Sequence, residues 1–275
     1  MTMANRRSVV INGDLGSGKS TVSKLLAARL GIRRISVGEL YRAMAAQRDM
    51  TALQLNLHAE LDGEVDHYVD QLQRDIAASG EQLVVDSRLA WHIFTDALKV
   101  HLVTDPAVAA HRVLGRPAET AESYTSVEEA RTRLASRSES ERIRFLSKYG
   151  ADKTRLRNYD LVCDSTRATP DEIVERIIDC LDARSRDVPR PVCYLDPMRI
   201  HPTAEVPTPE AADAEGPIAV GYTAPHFFAI DGHRQLMTAR QTGQTLVAAV
   251  LVAEAEETIA GVSCEQYFSA HAIRW

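Results

Sequence analysis

Short apolar runs alternate with helical stripes along the first two thirds of the chain. Ser8–Ile11, Gln82–Val85, Val100–Val103 and Leu161–Cys163 read as buried strands. Between them, Val22, Leu25, Leu26 and Leu30 recur at helical spacing, as do Val65, Val69, Leu72 and Ile76. Such stripes are expected to face a core. A further helix is announced by Thr169 as N-cap, Pro170 in the first turn and the acids Asp171 and Glu172. Its apolar face is Ile173, Ile177, Ile178 and Leu181. Strands alternating with helices predict an α/β architecture, a parallel sheet flanked by helices.

The pattern changes after about residue 184. Ser185 to Pro217 carries prolines at 189, 191, 197, 202, 207, 209 and 217, a density expected to oppose helix and central strand. Residues 207–217, PTPEAADAEGP, read as an exposed flexible loop. Strand-like Ile218–Val220, Phe227–Ile230 and Leu246–Val252 follow. The expected division is therefore residues 1–183 as one domain, and 184–275 as a Pro-rich linker with a small α+β domain. No internal repeat is visible.

Composition narrows the picture. A chain of 275 residues with 45% hydrophobic content can bury a sizeable core. Its net charge of −6 disfavours a general nucleic-acid binder. Cys163, Cys180, Cys193 and Cys264 lie far apart without metal-ligand spacing, so free thiols in a reducing cytosol are expected. The N-terminus carries no signal-peptide apolar run and no stretch is long enough to span a bilayer, which predicts a soluble cytoplasmic protein.

The strongest chemical signal is the stretch NGDLGSGKSTVSKLLAARLG, residues 12–31. Gly13, Gly18, Lys19 and Ser20 fit G-x-x-x-x-G-K-[ST], placed between a strand and a helix. Glycines let the backbone curl so that several N–H groups converge. The helix start adds unpaired N–H groups and the positive end of its dipole. Gly13, Asp14, Leu15, Gly16, Ser17, Gly18, Lys19, Ser20 and Thr21 are thus expected to cradle the phosphates of ATP. Lys19 would neutralise the β- and γ-phosphates, and Ser20 would hold Mg²⁺. The loop alone says nothing of what accepts the phosphate.

Four segments follow in order: ISVGELYRAMA, VVDSRLA, SESERIRFLSKYGAD and NYDLVCDST. With the loop, they make residues 7–183 resemble the cytidylate kinases, especially the short form of archaea and some bacteria. The resemblance implies a nucleoside-monophosphate kinase fold with a core, a mobile monophosphate-binding segment and a lid. The residues support it by their own chemistry. Passing a phosphoryl group to another phosphate gathers negative charge, so positioning and neutralisation dominate, and the anionic acceptor needs no general base. Arginine is the side chain that forks onto phosphate.

Arg42, after an expected glycine turn at Gly38, would hold the acceptor's α-phosphate, with Ser36 orienting that nucleotide. Arg88 follows a strand and would emerge at the sheet's carboxyl edge, where ligands bind in such folds. By similarity to the family it also grips the acceptor. Asp86 would hold Mg²⁺ through water. Arg112 to Arg155 is rich in arginine, and a helix would put Arg137 and Arg144 on one face, two turns apart. Glu128, Glu129, Glu139 and Glu141 suggest that some arginines there pair along the helix. The family's lid arginines match Arg116, Arg137 and Arg144, and Lys19 with these three is the expected catalytic set. Asp164, Ser165 and Thr166 match the family's loop near the donor adenine. Ser87 stands where the family usually has Gly, and Ser138 where an acid is common; Ser87 would place a hydroxyl close to the acceptor. CMP or dCMP is the first expectation for the acceptor. A modified pyrimidine nucleotide or a small-molecule hydroxyl are the alternatives; a hydroxyl acceptor would need a base, for which Asp86 is the obvious candidate.

Residues 190–275 more weakly resemble the ParB/sulfiredoxin-like fold, through VCYLDPMRIHPTAEV, the IDGH turn and the ARQTG helix end. Some members bind or cleave nucleotides and some phosphorylate free serine, which would make Glu205 and Asp231 the acids of interest and the chain bifunctional. Arg234 and Gln235 depart from the D-G-H-H-R pattern at the turn. An accessory or dimerisation module, with a homodimer formed through it, is the preferred expectation; neither membrane nor nucleic acid is an expected partner.

Overall fold

The computed structural model describes residues 8–50, 64–115, 124–183, 191–205 and 216–273. Five parallel strands form the first half of its sheet: β1 (Val9–Gly13), β2 (Arg33–Ser36), β3 (Leu83–Asp86), β4 (Leu98–Val103) and β5 (Leu161–Asp164), in the order β2-β3-β1-β4-β5. The register is continuous, with Val10 opposite Val85 on one side and Lys99 on the other. Helices cover both faces, so the inner strands β1, β3 and β5 carry unbroken apolar runs rather than alternating ones. Val10, Leu83 and Val85 join one core cluster; Val9, Ile11 and Val84 join the other.

The helices are α1 (Lys19–Leu30), α2 (Val37–Ala46), α3 (Glu64–Ala78), the single turn α4 (Ala90–Ile93), α5 (Pro106–Leu114), α6 (Val127–Tyr149) and α7 (Pro170–Asp182). Val22, Leu26 and Leu30 of α1 and Ile173 and Ile177 of α7 pack into the same cluster, as their spacing predicts. Thr169 caps α7 in a reciprocal box with Glu172. In α3 the outcome differs. Ile76 reaches the core, but the buried side chains of the helix include Asp70 and Gln73, at 6% and 3% exposure. Val65's side chain lies outside the described residues.

Two local expectations are corrected, and one strand goes unannounced. Gly38 makes no turn: it is the second residue of α2, whose N-cap is Ser36, with Ser36 Oγ accepting from Glu39 N at 3.3 Å. Arg33–Ser36 is a strand that its arginines concealed; it lies at the sheet edge, where Arg33 reaches solvent and pairs with Glu81. The proline-rich region does contain a central strand. Strand β6 (Val192–Leu195) lies between β5 and β10 because Pro191 and Pro197 bracket it rather than interrupt it. Of the expected loop 207–217, residues 207–215 lie outside the described residues.

The second half extends the same sheet through β6, β10 (Val247–Glu254), β8 (Ile218–Thr223), β9 (His226–Asp231) and β7 (Ile200–His201), making ten strands in all. Helices α8 (His233–Gln241) and α9 (Cys264–His271) and the small hairpin β11 (Thr258–Ile259) and β12 (Val262–Ser263) complete it. The β5–β6 pairing is parallel, Leu161 opposite Val192. Buried charge stitches the two halves further. Asp164 accepts from Arg199 at 2.7 Å, and Arg167 forks onto Asp196 at 2.8 and 2.7 Å. Glu254, 2% exposed, accepts the backbone amides of Leu156 and Arg157 at 2.8 and 3.1 Å. Glu254→Ala strands those amides and should lower stability by about 1–3 kcal/mol. A fall in denaturant midpoint at unchanged slope is the expected reading; an unmoved midpoint would contradict it.

Candidate active site

The glycine loop runs from β1 to α1 at the carboxyl end of the parallel strands. Gly13 lies so close to β4 that a Cβ there would fall 2.5 Å from the Leu102 carbonyl oxygen. Gly18 is the N-cap of α1 at φ +82°, a left-handed backbone that L side chains adopt rarely. The loop closes on itself: Ser17 N and Oγ both donate to Asp14 O, at 3.2 and 2.7 Å. Leu15 and Gly16 are half-buried on its curve and Thr21 is exposed on α1. The first-turn amides of α1 have no intrahelical acceptor. Lys19 folds back over the loop, donating from Nζ to Gly13 O at 2.8 Å and Asp14 O at 3.2 Å. The Asp14 carboxylate braces the far side, accepting from Thr104 N at 3.1 Å with His101 Nε2 3.6 Å away. Burial raises the Asp14 carboxyl, but His101 and the Thr104 amide outweigh it and hold it below the usual range.

Ser20 and Asp86, paired in expectation, meet: Ser20 Oγ donates to Asp86 Oδ2 at 3.0 Å. The same oxygen accepts from Arg34 Nη2 at 3.1 Å. Arg34 is itself fixed by Ser23 and Glu39. A hydroxyl and a carboxylate side by side are hard oxygen donors and fit Mg²⁺.

Beyond β3, Arg88 enters a cluster of cations. Glu141 of α6, with its side chain 7% exposed, takes Arg88, Arg137 at 3.3 Å and Lys153 Nζ at 2.8 Å. Arg144, two turns along from Arg137, lies over the Phe145 ring at 5.5 Å from its centroid. Burial and the Arg88 charge push the Lys19 amine down to about 7, and the same two causes bring Lys153 to about 7. Arg88 is driven down to about 9 by burial, Arg137 and Arg144, and stays charged at neutral pH. So many cations depressing one another mark a site short of negative charge, the state expected of a polyanion site awaiting its ligand.

That imbalance is measurable. Anion binding raises both amines, so at pH 8 binding should take up protons, read by calorimetry as an apparent enthalpy that varies with the buffer's ionisation heat. Without ligand, the folded chain holds fewer protons than the unfolded chain between about pH 7 and about 10, so these two amines make stability rise with pH in that window. A flat profile there, or proton-neutral binding, would contradict the cluster.

Other sequence-singled residues fall as follows. Arg42 is exposed on α2 and adds to the positive field at Arg88. Ser36 is buried as a helix cap. Ser87 is buried and engaged, donating to Gln73 Oε1 at 2.9 Å and accepting from the Leu89 and Ala90 amides. Asp164, fully buried, is committed to Arg199 and the Thr166 amide. Ser165 donates to Val103 O, and Arg112 Nη2 covers the loop by donating to Ser165 O at 2.6 Å. Arg116 lies outside the described residues. Away from this site, Glu205 and Asp231 line one cavity of about 330 Å³ with His233, Arg234 and Gln235. Asp231 Oδ1 accepts from Gly232 N there. Among the described residues no cluster of three or more His, Cys, Asp or Glu is placed to hold a metal, and no helix is long and apolar enough to cross a membrane. All four cysteines are free thiols.

Sequence reasoning missed Lys153, Arg34 and the hub role of Glu141. Lys153 follows the helix-ending Gly150 in YGADK, and a lysine after a helix stop reads as surface.

The chain is similar to several known proteins. A family model described as an AAA domain matches residues 9–144. Cytidylate kinase of Archaeoglobus fulgidus is 32% identical over 177 residues, which are 64% of this chain and 95% of that protein. Cytidylate kinase of Natronomonas pharaonis is 35% identical over 181 residues, 65% of this chain and 91% of its own. The solved shikimate kinase from Acinetobacter baumannii, in complex with shikimate, covers 66% of this chain and 97% of its own, at 14% identity and TM-score 0.46. With a phosphate loop, an arginine-rich strand edge and kin of this length and identity, the chain belongs to the cytidylate kinase family.

Proposed function

We propose that the protein transfers the γ-phosphoryl group of ATP to a pyrimidine nucleoside monophosphate, CMP or dCMP first. The carrying observation is the cluster in which Arg88, Arg137 and Lys153 meet the buried carboxylate of Glu141, with Lys19 and Arg144 adding to the same positive field. The loop from Gly13 to Ser20 holds the donor phosphates, and Arg88 with Arg42 holds the acceptor. An acceptor phosphate oxygen bonds to the γ-phosphorus as the bond to ADP's bridging oxygen breaks. The acceptor is already an anion, so no proton has to leave it. Lys19, Arg137 and Arg144 stabilise the charge on the transferring group. Mg²⁺, held by Ser20 and by Asp86 through water, would neutralise the donor phosphates when bound.

A kinase for a small-molecule hydroxyl would need a free carboxylate as base. Asp86 is the carboxylate at that strand edge, and it is already engaged by Ser20 and Arg34, which favours the phosphate acceptor. The test is ADP release from ATP against a panel of nucleoside monophosphates and small metabolites. Turnover led by CMP or dCMP is expected; turnover only with a metabolite hydroxyl would overturn the reading. Residues 184–275 are proposed as a non-catalytic module. Absence of serine phosphorylation by the full chain with ATP or ADP is expected, and its presence would show the chain to be bifunctional.

A further inference from the structure

The loop that joins β5 to α7, residues 164–169, belongs by position to the first half of the sheet, yet the second half holds it. Asp164, fully buried, accepts Arg199 Nη1 at 2.7 Å on one oxygen and the Thr166 amide at 2.9 Å on the other. Arg199 ends the single turn Pro197–Arg199 that follows β6. Its side chain is 11% exposed, and Nη2 donates to the Pro225 carbonyl at 3.2 Å. Along the same loop, Arg167 forks onto buried Asp196 and donates to Gln244 O at 2.7 Å. Burial raises the Asp164 carboxyl, and Arg199 is the charge that opposes it. A carboxylate taken this far out of water keeps its place only while such a partner stays.

The same loop is tied to the phosphate loop. Thr166 Oγ1 accepts from Asp105 N at 2.9 Å, and Arg112 Nη2 donates to Ser165 O at 2.6 Å and Thr166 O at 3.3 Å. Thr104, the neighbour of Asp105, donates its amide to the Asp14 carboxylate at 3.1 Å. The ends of β1, β4 and β5 therefore form one bonded row, and Arg199 anchors its outer end. On the function proposed above, this row has a definite use. In-line transfer sets donor and acceptor on opposite sides of the moving phosphoryl group. The cations for the acceptor lie beyond β3, on one side of β1. The nucleoside of ATP then extends the other way, over the ends of β4 and β5.

We propose that the C-terminal half is a working part of the donor site, with Arg199 as a positioning residue that holds, through Asp164, the loop beside the base of ATP. The inference rests on the reading above that ATP is the donor. Arg199 touches no reactant and takes no part in the transfer. It fixes where Ser165 and Thr166 stand when the base arrives. Such coupling is reciprocal. If Arg199 improves binding of the nucleotide, the nucleotide in turn steadies the strand and turn that carry Arg199. Two halves joined through one sheet then answer to the same ligand.

Calorimetry with ADP tests this without any acceptor. Arg199→Gln should weaken ADP binding by about 10-fold. Arg199→Lys, which keeps the charge beside Asp164, should restore most of it. The acceptor's KM should stay as it was, a split that a general loosening of the fold would not give. ADP binding unchanged in a folded Arg199→Gln, or ADP and acceptor weakened alike, overturns the proposal. Should that variant fail to fold, hydrogen exchange in the unaltered protein decides. ADP should slow exchange in residues 192–199 more than in α9, which packs on β8 and the small hairpin. Equal slowing in both, or none, overturns the proposal. ADP binding with no turnover of any monophosphate would sink the acceptor reading and leave this test standing. Binding of neither ATP nor ADP would overturn the phosphotransfer reading itself, and this proposal with it.

Discussion

Lys19→Ala is expected to lower turnover by at least about 10²–10³-fold, the range for removing one preorganised charge from a transition state. The fold should survive. Among the described residues, Lys19 Nζ donates to two carbonyls of its own loop, Gly13 O and Asp14 O, and to no core side chain. Its amine is already pushed down to about 7 by burial and by Arg88, so at neutral pH the folded chain spends stability to keep it charged. Removing it relieves that repulsion. The expected pattern is near-complete loss of phosphoryl transfer with an unfolding midpoint unchanged or slightly higher. Turnover within a few-fold of the unaltered protein would refute the phosphate-loop assignment. Loss of activity together with loss of the cooperative unfolding transition would mean that Lys19 holds the loop rather than the substrate.

The parts of the molecule legible in the sequence are those where local pattern and tertiary environment agree. Val9–Ile11, Leu83–Val85 and Leu161–Cys163 are covered on both faces, so unbroken apolar runs announced them. The α1 and α7 stripes face one core and carry their caps in sequence. The phosphate loop was legible because its glycines answer a backbone demand that no other residue meets. Legibility failed where neighbours distant in sequence set the environment. Arg33–Ser36 shows no apolar run because an edge strand keeps Arg33 in solvent while Arg34 turns to Asp86. Val192–Leu195 was hidden by flanking prolines whose positions, just outside the ladder, matter more than their number. Asp70 and Gln73 interrupt the apolar face of α3 because Tyr149 and Ser87, 79 and 14 residues away, supply their partners.

The acceptor side shows the same limit more sharply. Arg88 was legible by its place two residues after a strand, and Arg137 by its place on a long helix. Their common partner was not. Glu141 has the spacing of an ordinary i,i+4 surface acid, and its pairing with Arg137 fits that description. Only the approach of Arg88, from the segment after β3, and of Lys153, from beyond the end of α6, places it among further cations. On the proposed function, this one carboxylate among three cations would stand in for a ligand's phosphate charge and hold the arginines in place until that charge arrives.

Glu141→Gln tests that role. Glutamine keeps the volume and one acceptor oxygen but removes the charge, leaving Arg88, Arg137 and Lys153 to repel one another. Breaking a buried ionic set from one side destabilises by about 3–5 kcal/mol, and a loss of that order is expected in chemical denaturation of the ligand-free variant. The loss should shrink when a polyanion such as ADP or inorganic sulfate is present, because bound phosphate or sulfate oxygens take over the neutralisation that Glu141 supplied. The acceptor's KM should fall, since Arg88 no longer has to leave a carboxylate to reach the substrate. Stability and substrate affinity therefore move in opposite directions, as at sites where function is held against strain. A deficit that stays the same with and without the anion would make Glu141 a packing residue of α6. An unaltered midpoint in the absence of ligand would remove the cation cluster as an energetic feature of the fold.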